Sequence, residues 1–197
     1  MLTTLFTSVE EYAAGAVHIF SRTDGVWSGT QKIVASDRFE RDDFGRSVGI
    51  SGNNIVVGHR NWLYGDGAAY IFEKSNSSWS QTSKLLPSDL TDTEMLGFGS
   101  NVVIDGNYVV VSAHHSSTDE SGENMVDNAG AVYIFERDSS SGTWSEIHKL
   151  VPNDRTAGDV FGSGISMDGD NLLVGAMYDD TAGSDSNAGS AYIFEIY

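Results

Sequence analysis

The sequence predicts an all-β chain of β-propeller-type, four-stranded antiparallel blades, about three to four repeats long and incomplete at both ends. The first reason is a short strand that recurs four times: Gly15-Ala-Val-His-Ile-Phe20, Gly67-Ala-Ala-Tyr-Ile-Phe72, Gly130-Ala-Val-Tyr-Ile-Phe135 and Gly189-Ser-Ala-Tyr-Ile-Phe194. The closing phenylalanines are 52, 63 and 59 residues apart, a period at which one supersecondary unit stacks on copies of itself. The second reason is composition. Twenty-two glycines against 2 prolines, with many Ser/Asn/Asp clusters, suit short strands and frequent turns. The third is that further strands recur in fixed order around the marker.

The repeat 44–97 shows that order best. Strand one, Phe44 to Ser51, alternates bulky Phe44, Val48 and Ile50 with Gly and Ser, and the polar turn Ser51-Gly-Asn-Asn54 follows. Strand two, Ile55 to Gly58, is continuously apolar, as a strand covered on both faces should be. Strand three is Ala68 to Phe72. Strand four, Trp79 to Leu86, alternates with polar partners and reads as a half-exposed edge. Elsewhere Phe98-Gly99 and Phe161-Gly162 open strand one, and Asp105-Gly106 and Asp168-Gly169 are expected as the tight turns. Tyr108 to Val111 and Leu172 to Val174 give strand two. Trp27, Trp79 and Trp144 each open a Trp-Ser-x-x-x-Lys strand four that runs on to Asp37, Asp89 or Asp154. Four strands from buried inner to exposed outer make a propeller blade.

The chain divides accordingly into a segment 1–13, strands three and four over 14–43, whole blades over 44–97 and 98–160, and strands one to three over 161–197. That is 13 strands, fewer than the 4–8 blades of a closed ring require. Three explanations stand: part of a larger propeller, a ring completed by a partner chain, or copies joined head to tail. For the last, the edge of Gly189 to Phe194, with Tyr192 at its centre, offers unpaired backbone. The apolar run carrying Leu2, Leu5, Phe6 and Val9 is a strand that could be added to it from another copy. One difficulty is that three strands plus two exceed a blade by one.

The Phe-Gly openings, paired with Val174-Gly-Ala176 and its variants Val57-Gly-His59 and Val111-Ser-Ala113, resemble the FG-GAP repeat of integrin-α-type β-propellers. The resemblance covers nearly all of 14–197 and implies the propeller fold with an extracellular or cell-surface, adhesive or scaffolding habit. It implies no reaction. Integrin-type blades often carry a calcium loop Asp-x-Asp-x-Asp-Gly-x-x-Asp before Val-Gly-Ala. Here that place holds only Ser51-Gly-Asn-Asn54, Asp105-Gly-Asn107 and Asp168-Gly-Asp-Asn171, too short for calcium's several oxygen ligands.

A net charge of −17 argues against nucleic acid as a partner and favours cations. The chain has no cysteine, hence no disulfide, zinc-thiolate or thiol nucleophile. No stretch reaches the roughly 18 apolar residues of a membrane span, so no membrane insertion is expected, and Met1 to Ser8 lacks the basic start of a signal peptide. No nucleophile–base pair or phosphate loop is visible, so no enzyme is expected.

Of the 28 acids, 17 fall in the loops after strand two and after strand four, which emerge on one face. A solvated loop face explains them; so does binding of a divalent cation, for which the pairs Asp37/Asp43, Asp89/Glu94 and Asp154/Asp159 are the candidate ligands. No cofactor is required, and calcium is the one candidate. His59 and His114 are read as sharing a register with Met177, and His18 replaces the tyrosine of the other repeats. Asn76-Ser-Ser78 is the one glycosylation sequon, accessible if the protein is secreted. The partners expected are further copies of the chain, or another cell-surface or matrix protein or a glycan. The function classes are therefore a structural or adhesive assembly module, and a ligand- or calcium-binding propeller acting alone.

Overall fold

The computed structural model describes residues 2–4, 14–60, 67–89, 97–180 and 187–196. Every helix or strand among them is a strand. The first sheet is β1 (Leu2–Thr4), β2 (Val17–Thr23) and β3 (Val26–Ile33); the second is β4 (Ser47–Ser51), β5 (Asn54–Arg60), β6 (Gly67–Ser75) and β7 (Ser78–Leu85). The third is β8 (Phe98–Asp105), β9 (Tyr108–Ala113), β10 (Ala131–Arg137) and β11 (Trp144–Leu150), and the fourth β12 (Phe161–Asp168), β13 (Asn171–Ala176) and β14 (Ser190–Glu195). Each sheet runs in chain order with antiparallel neighbours, so each is one propeller-like blade. The inner strand β8 packs on β4 and β5 of the blade before and on β12 of the blade after.

Sequence pattern explains which strand lies where. The apolar runs of β5 and β9 are buried on both faces, whereas β7 alternates exposed Ser and Lys with buried Trp79 and Leu85. In the marker strand, alternation sends Tyr and Phe to one face and Ile to the other. Tyr70 and Phe72 join Val17 and Ile19 of the first blade in one core. Ile71 joins Tyr133 and Phe135 of the third in the next. Ile134 meets Phe161, Leu172 and Val174 of the fourth. At each of the three seams the Tyr/Phe face of one blade thus meets the Ile face of the blade before it.

Four local readings are corrected. The tight turns centre one residue later than Asp-Gly: Asp105 and Asp168 are the last residues of their strands, facing Tyr108 and Asn171, and the turn residues are Gly106-Asn107 and Gly169-Asp170. Gly106 at φ 53 and Gly169 at φ 56 take the left-handed conformation that opens such a turn. Strand one of the second blade starts at Ser47, because Phe44-Gly45 turns at positive φ and bridges to Gly15 instead. His59 stands opposite Ala68 as Ala113 stands opposite Ala131, so His114 matches Arg60, not His59. Finally, Leu2–Thr4 lies antiparallel to β2 of its own chain, making the first sheet three-stranded, while Leu5, Phe6 and Val9 lie outside the described residues.

Candidate functional site: the seams between blades and the open last face

One set of contacts repeats at each seam. The Phe of each Phe-Gly sits edge-on to the Tyr and Phe of its own marker strand: Phe98 lies 5.4 Å from Tyr133 and 6.2 Å from Phe135, and Phe161 lies 5.4 Å from Tyr192 and 6.0 Å from Phe194. Its backbone is pressed against the marker glycine of the preceding blade. A Cβ on Gly130 would sit 2.1 Å from the Phe161 carbonyl oxygen, and one on Gly67 would sit 1.8 Å from that of Phe98. These glycines are required by close approach of two backbones.

A polar latch overlies that aromatic contact. Tyr133 donates to Asp89 at 2.8 Å, and Lys149 donates to the same carboxylate at 2.6 Å while lying 5.4 Å above the Tyr133 ring. Asp89 follows strand four of the second blade; Tyr133 and Lys149 belong to the third. One blade earlier, Lys84 donates to Asp37 at 2.7 Å, Tyr70 hydrogen-bonds Asp37, and Lys84 lies 5.5 Å over the Tyr70 ring. Burial alone would raise the Asp89 carboxyl, but its bonds from Lys149 and Tyr133 outweigh that and hold it below the ordinary value. Burial, then the neighbouring Asp89, raises the Tyr133 hydroxyl, which stays a donor. On the opposite face, a side chain ending one inner strand caps the next blade's turn: Gly106 N donates to Ser51 Oγ at 3.1 Å and Gly169 N to Asp105 Oδ2 at 2.9 Å.

The sequence-derived cation candidates fall into this framework. Asp37 and Asp89 hold lysines, and Asp154 accepts from Tyr192 at 3.2 Å. Asp159 is buried and accepts from the Thr156 hydroxyl at 2.7 Å and from its backbone N–H, closing its own turn. Asp43 sits at φ 50 and its carbonyl accepts from Arg46 N. Glu94 lies outside the described residues. Among the described residues no group of three or more His, Asp or Glu side chains converges as metal ligands would. Asn76 is exposed in the two-residue turn between β6 and β7, at φ 57. His114 and His115 lie with ring centroids 4.3 Å apart; burial, then His115, Arg60 and Arg46, push His114 down to about 4.

The last blade breaks the pattern on its far side. Ile193 is 74% exposed, whereas its equivalents Ile71 and Ile134 are at 0% and 2%. Leu173 is 45% exposed where Val56 and Val110 are wholly buried. A Cβ on Gly189 would meet only its own blade, with nothing closer than 3.2 Å from the Met177 carbonyl. Among the described residues β14 has one strand neighbour, β13, and the edge residues Gly189, Tyr192 and Phe194 all belong to this unit. The first blade shows the converse: Trp27 is 52% exposed where Trp79 is 8%, and Phe20 is half-buried where Phe72 and Phe135 are buried.

One residue of this region escaped the sequence reading. Asp179 is buried and accepts from the Tyr192 hydroxyl at 2.7 Å; it stands where Ser116 stands in the third blade, each taking the marker glycine's N–H on its own carbonyl. The signal was the marker itself, since Asp179 follows Ala176 as Ser116 follows Ala113. The fixed step of five from Lys32 to Asp37, Lys84 to Asp89 and Lys149 to Asp154 likewise announces the latch.

The FG-GAP repeat is matched three times, over residues 27–72, 79–135 and 144–194. No curated protein matches the chain. Each matched stretch starts in strand four of one blade and ends in strand three of the next, so the sequence repeat spans a seam rather than a sheet. With three such stretches over most of its length, the chain belongs to the FG-GAP repeat family.

Proposed function

We propose that this chain is a non-catalytic, extracellular structural and adhesion module that associates head to tail with further copies through its open end blades. The observation that carries the reading is the exposed Ile193 and Leu173 face, apolar and built to the pattern that is buried at every interior seam. A second copy supplies what that face lacks. Its first blade presents Phe20 and Trp27, the residues whose equivalents Phe72 and Trp79 cover an Ile face inside the molecule. The contact is heterologous, one end against the other, so it closes into a ring if the rotation permits and otherwise extends into a filament. Two copies of four blades match the upper size of closed propellers, about 8 blades.

Sedimentation velocity of the chain from about 1 to 100 μM, with negative-stain images of the same samples, tests this. Concentration-dependent growth, abolished by Ile193→Asp without loss of the fold, is expected. A monomer throughout, with identical behaviour of the Ile193→Asp variant, would contradict it.

A further inference from the structure

We propose that the free edge of β14 is a receptor for one more β-strand, of the Trp-Ser-x-x-x-Lys-Leu type, and that Asp154, Tyr192 and Asp179 form the socket for that strand's lysine. The inference deepens the assembly reading, on which it rests, by stating what the partner presents at this edge.

The two complete blades share one lysine site. Lys84 stands directly opposite Tyr70 across β6 and β7, and Lys149 opposite Tyr133 across β10 and β11. Each ammonium lies over its tyrosine ring and donates to the aspartate following the preceding blade. The same tyrosine and the same aspartate recur in the last blade as Tyr192 and Asp154, and a second carboxylate, Asp179, replaces the neutral Ser116. The Tyr192 hydroxyl carries one proton, so it can donate to only one of the two carboxylates at a time. No Lys or Arg among the described residues pairs with either acid. The site therefore keeps the acceptors of the interior latch, has one more negative charge, and lacks the cation that the two equivalent sites contain.

The backbone points to the same occupant. β14 pairs with β13 from Ser190 to Glu195, and among the described residues no strand pairs with its opposite edge over Ser190 to Phe194. A strand added antiparallel there, in the register of β7 on β6, places a lysine opposite Tyr192 and a leucine opposite Ala191. Backbone pairing gives such a strand its affinity, and the socket selects lysine at one position.

The probe is a fluorescently labelled peptide of residues 78–87, the β7 sequence, added to the whole chain. We expect saturable binding, weakened at least tenfold by Lys84→Met in the peptide and by Asp154→Asn in the protein. Asp154 is exposed, so that variant keeps its fold even if the buried Asp179→Asn does not. Peptide binding that ignores both changes, or no binding at millimolar peptide, overturns the proposal. The Ile193→Asp variant separates this result from self-association. If it stays monomeric yet binds the peptide as tightly as the parent, the edge receptor stands by itself. If the parent chain assembles but never binds peptide, the receptor is wrong and the docking face survives.

Discussion

The third blade and the fourth are written with nearly the same residues and are held in different ways. Phe98, Tyr133 and Phe135 match Phe161, Tyr192 and Phe194 ring for ring, with spacings that agree within 0.2 Å. On the side facing the preceding blade the rings keep one arrangement, but Tyr192 and Phe194 are half-buried where Tyr133 and Phe135 are buried, and Asp154 and Asp179 stand in place of the Asp89–Lys149 latch. On the far side Ile134 is buried by the fourth blade, whereas Ile193 is left exposed by the described residues. The repeat therefore encodes two half-interfaces in one strand, and a residue's contribution depends on which neighbour is present rather than on its identity.

The sharpest way to break that comparison is a pair of glycine substitutions. Gly130→Ala forces a Cβ into the Phe161 carbonyl at φ 90; a loss of about 4 kcal/mol in urea unfolding is expected, from backbone displacement and left-handed strain together. Gly189→Ala meets no neighbouring blade and costs about 1 kcal/mol, the strain alone. Equal losses would mean that the seam glycine is not a seam residue.

Truncation of the isoleucines is the next test. Ile134→Ala removes a side chain from a closed core and should cost about 3 kcal/mol. Ile193→Ala should change the stability of the monomer by less than about 0.5 kcal/mol. Thermal melts at low micromolar concentration separate the two, since assembly would otherwise add to the second.

The latch gives a smaller, pH-dependent contrast. Lys149 is nearly buried, and Lys149→Met leaves Asp89 without its cation, a loss of about 2 kcal/mol. Because the Asp89 carboxyl is held below its unfolded value, its contribution is complete above that value and disappears as pH falls through the folded one. In Lys149→Met the acid limb of the stability curve should flatten. A second pH-dependent contrast belongs to His114. Its imidazole is near 4 in the folded chain against 6.5 unfolded, so the unfolded state binds the extra proton. Stability is full above pH 6.5 and declines toward pH 4, and His114→Asn should remove that slope while leaving the limb below pH 4.

Much of this was legible in the residues. The spacing of Tyr-Ile-Phe fixed the blade, and the Trp-to-Asp run fixed the outer strand, because periodicity in a strand reports its two faces directly. The acids were harder. Asp37, Asp89 and Asp154 look like free carboxylates on a loop, and only the fold shows that a loop of one blade lies against the tyrosine and lysine of the next. The turn shift by one residue was hidden for a similar reason: the Asp105 side chain serves the Gly169 N–H 64 positions away instead of its own turn. Bulges between Ile19/Phe20, Ile71/Phe72 and Ile134/Phe135 had no compositional mark at all.

The absence of cysteine makes the central claim open to direct chemistry. Ile193→Cys and Phe20→Cys are made in separate copies, mixed, and oxidised gently. The account predicts a mixed disulfide between the two variants, because the Ile face of one last blade meets the Phe face of another first blade, as Ile71 meets Phe135 inside the chain. A disulfide formed only between two Ile193→Cys chains, or none at concentrations where the mixture sediments as oligomer, would contradict head-to-tail docking.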